Sequence, residues 1–80
     1  MLDDNLYNPT SIADNIKKIS KVKKVQINTM LSEIGIGSNT MSHMRHGRMI
    51  ASDSLARIAD YLGCSVDYLL GRTDKPEVNK

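Results

Sequence analysis

Residues Ile27 to His46 read INTMLSEIGIGSNTMSHMRH, and the fold turns on how this stretch divides. Met30, Leu31 and Ile34 recur at helical spacing and form the inner stripe of a helix over 27–34. Gly35 stands where a left-handed residue would end it. The next helix starts near Ser38 and stops before Gly47, with Met41 and Met44 turned inward. Only Gly35-Ile36-Gly37 joins the two. A connection this short, with glycine at both ends, sets two helices at a steep angle with Ile36 plugged between them, which is helix-turn-helix spacing.

Working outward, apolar periodicity near 3.6 recurs on both sides without a stretch of period-2 alternation, so the chain reads as all-α with five helices. Upstream, a helix opens at Ser11, whose hydroxyl can cap while Asp14 sits at the capping-box spacing, with Pro9 just before it. Its apolar stripe is Ile12, Ile16, Ile19 and Val22, and Lys17, Lys21 and Lys24 recur on a different face. Downstream, Leu55, Ile58, Ala59 and Leu62 mark a fourth helix with Ser52 as cap, Asp53 in the first turn and Gly63 as its stop. Ser65 caps a short fifth helix bearing Val66, Leu69 and Leu70, closed by Gly71. The division is an N-terminal extension over 1–10, a helical domain over 11–71 with its helix-turn-helix at 27–46, and a flexible polar tail over 72–80.

Size limits function. The 80 residues, 40% of them apolar and with three tyrosines as the only aromatics, suit one small domain. Such a chain buries roughly 60% of the surface its unfolded form exposes, which excludes a multi-domain enzyme with a deep cleft. Apolar runs stop at three residues, as in Met49-Ile50-Ala51, against the ~20 needed to cross a bilayer. The opening MLDDNLYNPT lacks the basic and apolar regions of a secretory signal, so a cytoplasmic protein is expected, with no membrane partner. Cys64 is the single cysteine and permits neither an internal disulfide nor a cysteine-rich zinc site.

Charge is segregated along the chain. Between Asn15 and Ser52 lie seven lysines and arginines against Glu33 alone, while the remaining segments hold four against eight carboxylates. A basic segment beside an acidic one is the footprint of a protein that turns one face to a polyanion.

The third helix carries the chemistry. From Ile34 to Ser52 there is no carboxylate, and the outward residues offer hydroxyl, amide and imidazole groups that suit base edges. Asn39 can pair with adenine N6 and N7, His43 can donate to guanine N7 or O6, and Ser38 or Ser42 can bond several edges. Thr40, His46 and Arg48 suit phosphate oxygens, with Arg45 beside them.

From Ile16 to Thr73 the chain resembles the Cro and lambda-repressor-like (XRE-type) helix-turn-helix regulators, particularly small phage and Gram-positive repressors. The turn Gly35-Ile36-Gly37, the helix SNTMSHM, Gly47 and the closing IADYLG-x-SVDYLLG carry the likeness. The resemblance implies a five-helix domain that binds operator DNA as a homodimer with its third helix in the major groove. It places base reading on Ser38, Asn39, Ser42 and His43, and backbone contacts at the start of the second helix, at Thr40 and in the loop after Gly47. Ile27 occupies the position where many members clamp a phosphate with Gln, and Asn28 or Gln26 is the substitute. The family's internal Arg–Glu pair falls on Ser20 and Arg45, which frees Arg45 for phosphate, where Asn28, Thr40, Arg45, His46, Arg48 and Lys17 are expected. Gly37 replaces the usual Ser or Thr cap.

Other chemistries have little support. His43 and His46 lack a third metal ligand nearby in sequence, no Ser-His-acid arrangement stands out, and no phosphate loop follows a strand. The expectation is no enzyme, no cofactor, no metal and no small-molecule ligand. Double-stranded DNA is the expected partner and transcriptional repression the expected role. The alternative is a protein-interaction module, such as an antirepressor or antitoxin, on the same fold. A salt-insensitive complex with a protein, and none with DNA, would separate the two.

Overall fold

The computed structural model describes residues 8–77. The expected extension over 1–7 and the end of the expected tail, 78–80, lie outside the described residues. Five helices follow one another: α1 (Pro9–Lys23), α2 (Ile27–Ile34), α3 (Thr40–Arg45), α4 (Ser52–Leu62) and α5 (Val66–Leu70), with no strand among the described residues.

α1 starts earlier than the Ser11 expected from the sequence. Asn8 is its cap, its side-chain oxygen accepting from the Thr10 N–H at 2.8 Å, and Pro9 opens the helix. Proline suits that position because its missing N–H would have had no helical partner. Residues 8–10 therefore belong to the helical unit rather than to an extension. Ile12, Ala13, Ile16 and Ile19 are buried as a stripe, but Val22 is 74% exposed and Ser20 takes the inward position in the last turns. The helical period places Val22 to one side of the stripe that Ile12, Ile16 and Ser20 set.

α2 has the expected limits, with Met30 and Leu31 buried, Ile34 half-buried and Gly35 left-handed at φ +81. α3 is shorter than expected: Ser38 and Asn39 form a turn ahead of it, so five residues, 35–39, connect α2 to α3. Ile36 is half-buried against the core, as the short turn requires. The cap of α4 is Ala51, with no side-chain hydrogen bond, and Ser52 is already helical. α5 matches expectation, with Ser65 Oγ accepting from the Tyr68 N–H at 3.0 Å and Gly71 left-handed at its end.

The core gathers Ile12, Ile16, Met30, Leu31, Met44, Ile58 and Leu69 with their neighbours. α1 packs on α3, α4 and α5, while α2 packs on α4. Two polar ties add orientation. Asn15 Nδ2 donates to the Leu69 carbonyl at 3.2 Å, linking α1 to the end of α5. Across α2 and α4, Arg57 donates to the Ile34 carbonyl at 3.3 Å and the Tyr61 hydroxyl to Glu33 at 2.8 Å. The bond to Glu33 raises the pKa of Tyr61, and burial raises that of the Cys64 thiol despite the nearby Lys23.

Residues 72–77, the described part of the expected tail, run back toward the start of α5. The Pro76 carbonyl accepts from the Ser65 N–H at 2.9 Å, and the Arg72 N–H donates to the Asp67 carbonyl at 2.9 Å. An N-cap residue's own N–H has no partner inside its helix, and the returning chain supplies one.

Candidate nucleic-acid interface

Burial of Met41 and Met44 decides which sides of α3 meet solvent. Two exposed rows result. Ser38, Ser42 and Arg45 form one, and Asn39, His43 and His46 the other, each at spacings close to one helical turn. The first row borders an open concavity of about 480 Å³ that also takes Lys17, Ser20 and Lys21 from α1 and Gln26, Ile27 and Asn28 from the start of α2. No carboxylate among the described residues lines it.

This concavity unites five of the sequence-selected residues: Lys17, Asn28, Ser38, Ser42 and Arg45. Asn39, His43, His46 and Arg48 are exposed outside it, on the flank of α3 and in the loop beyond. Gln26, the alternative to Asn28 as a phosphate clamp, lines the concavity too, and Ser20 and Lys21 line it without having been selected as site residues. Lys21 follows Lys17 by one helical turn, so its place in the cationic stripe was the available signal. For Ser20 the available signal was its place opposite Arg45, at the two positions where the family's internal Arg–Glu pair falls.

Thr40 departs from expectation. It is 8% exposed, and its hydroxyl donates to the Gly37 carbonyl at 2.6 Å. Its N–H donates to the same carbonyl at 3.1 Å. A phosphate oxygen needs a donor, and this hydroxyl's hydrogen is already committed to closing the turn into α3. In this structure Thr40 thus closes the turn into α3, with its hydroxyl directed at Gly37 rather than outward.

His46 contacts its own helix, with Nδ1 2.7 Å from the Ser42 carbonyl. A carbonyl only accepts, so Nδ1 carries hydrogen, and Nε2 can donate to a phosphate only when the ring holds both protons. Asn39 has its side chain folded beside Gly37, such that a methyl group at Gly37 would lie 2.8 Å from Asn39 Oδ1. Arg45, Lys17, Lys21 and Arg48 form no ion pair among the described residues, whereas Arg57 and Arg72 are engaged by Asp53 and Asp67. The cations beside α3 are thus available to an external anion.

No group of three or more potential metal ligands occurs among the described residues, and no described helix is long and apolar enough to cross a membrane.

A short helix presented at the surface, a preceding helix that starts beside it and a carboxylate-free cationic concavity are what a helix-turn-helix presents to a duplex. The family model of the Cro/C1-type HTH DNA-binding domain matches residues 15–75, and the chain belongs to that family. It is a DNA-binding domain of the kind used in transcription regulation. Neither a curated protein nor a solved structure matches it.

Proposed function

We propose that the protein is a sequence-specific regulator of transcription, a repressor, which binds an inverted-repeat operator in double-stranded DNA as a homodimer. The observation that carries this reading is the carboxylate-free concavity bordered by α3 in a chain of the Cro/C1-type family. α3 enters the major groove, where Ser38, Asn39, Ser42 and His43 meet base edges. Lys17, Asn28, Arg45, His46 and Arg48 meet phosphates and fix the register without reading sequence. Ile27 has no polar group for a phosphate, and the exposed Asn28 beside it takes that part. The unit acts by binding, and no residue is given a catalytic role.

The test compares Asn39→Ala with Arg48→Ala on the preferred duplex and a scrambled one. Asn39→Ala is expected to cost ~1–3 kcal/mol on the preferred site and to relax preference at one base pair. Arg48→Ala should weaken both duplexes by a similar factor. Identical losses from the two substitutions on both duplexes would contradict the division of roles.

A further inference from the structure

The concavity beside α3 has two kinds of wall. Lys17, Lys21, Asn28, Ser38, Ser42 and Arg45 are exposed around it, whereas Val25 and Ile27 are half-buried and Met41 is 6% exposed. Its outer part is therefore polar and cationic, and its inner part is apolar. The Ser20 hydroxyl, which lies among the inner residues, is shut off from solvent and offers nothing to a ligand.

Ile27 is the first residue of α2 and packs only partly on the core, so the rest of its side chain faces the concavity. Met41 follows Ser38 by three positions and directly precedes Ser42, which sets the apolar wall beside the row of α3 that meets base edges in the proposed function. An aliphatic side chain can neither bond the polar base edges nor hold a phosphate. One apolar group stands in the major groove of a duplex, the C5-methyl of thymine. It projects from the outer edge of its base, toward the backbone of its own strand. A side chain flanked by serines on one side and cations on the other is placed to meet it.

We infer that Ile27, backed by Val25 and Met41, forms a pocket for a pyrimidine C5-methyl, and that this pocket selects thymine at one position of each half-site. The inference rests on the proposed function, since it sets the pocket in the major groove. It adds a determinant from α2 to the donors of α3, one that senses a methyl group rather than a hydrogen bond. 5-Methylcytosine carries the same methyl, but thymine supplies it without any modification of the duplex.

The full chain is measured by fluorescence anisotropy on duplexes recovered from a random library, with each thymine replaced in turn by uracil, which lacks only the methyl. Uracil at the position that meets Ile27 is expected to weaken binding about four-fold, the value of burying one methyl-sized group. At the same position 5-methylcytosine should bind about four-fold more tightly than cytosine. Ile27→Ala should bind the thymine and uracil duplexes equally, and Ile27→Val should give an intermediate ratio. The base replacements leave the parent protein untouched, so they decide the matter even where Ile27→Ala folds poorly.

A parent indifferent to uracil at every thymine overturns the pocket while DNA binding stands. A uracil penalty of equal size in the parent and in Ile27→Ala also overturns it, because the methyl is then met elsewhere on the protein. Equal binding of cytosine and 5-methylcytosine at the sensitive position overturns it as well, because something other than the methyl is then being read. A parent without sequence preference removes the proposed function, and the pocket with it.

Discussion

At Gly37 a methyl group would lie 2.8 Å from the Asn39 side-chain oxygen, closer than such atoms approach. The glycine's own φ is outside the left-handed region, so alanine is compatible with the backbone and the strain falls on Asn39. Gly37→Ala should therefore leave the fold intact while forcing the Asn39 amide to swing away. The expected result is a loss of several-fold in affinity for the preferred site, ~1 kcal/mol or more, with scrambled DNA bound as before. Unchanged discrimination by Gly37→Ala in a competition assay would show that Asn39 does not read a base from its present position. Thr40 illustrates the limit of reading residue types alone. A threonine near the start of a recognition helix looks available to phosphate, but its hydroxyl closes the turn on Gly37. Its role depends on a direction that the sequence does not state. His46 has the same dependence, since its contact with the Ser42 carbonyl determines which ring nitrogen faces outward.

Among the elements, α1 ends on a strained residue. Lys24 is its C-cap at φ 59, and it is the non-glycine residue in the left-handed region among those described. α2, α4 and α5 end on Gly35, Gly63 and Gly71 in the same conformation. A side chain there costs about 1–2 kcal/mol, part of which glycine returns through its greater freedom when unfolded. Lys24→Gly should thus stabilise the domain by about 0.5–1 kcal/mol and raise the thermal midpoint by roughly 2–8 °C. Scanning calorimetry checks this, and an unchanged or lower midpoint would mean that Lys24 makes a compensating contact. The three glycine stops were legible because glycine advertises the left-handed cap, whereas the lysine cap depends on Lys24 N–H reaching the Ser20 and Lys21 carbonyls. The inner stripes of α2 and α4 were legible for a similar reason, since they repeat apolar residues over neighbouring turns. Val22 was misplaced because an aliphatic near the spacing invites extension of a stripe that has already turned toward Ser20. The start of α3 was read too early because Ser38 and Asn39 suit a helix start and a turn equally well. The docking of residues 72–77 had no local signature, because the Ser65 N–H to Pro76 carbonyl bond joins positions that only the finished fold brings together.

Over the whole molecule, the sequence's charge segregation becomes a difference between elements. Lys17, Lys21 and Arg45 border the concavity, while exposed Asp53, Asp60 and Asp67 lie on α4 and α5. A potential of this form orients the domain as it approaches a polyanion and weakens with salt. The surface row on α3 was legible from its pattern. The concavity was not, because it exists only once α1, the start of α2 and α3 meet. The described domain offers one α3, so the proposed reading of an inverted repeat takes two copies, with their α3 helices ~34 Å apart to enter successive major grooves. The most direct test of the central claim, that α3 reads base sequence, is selection of bound duplexes from a random library at ~150 mM salt, near physiological ionic strength. Recovery of an inverted repeat with half-site centres about 10 base pairs apart is expected. A single half-site would keep the reader and remove the dimer, and a pool with no enriched sequence would contradict the claim.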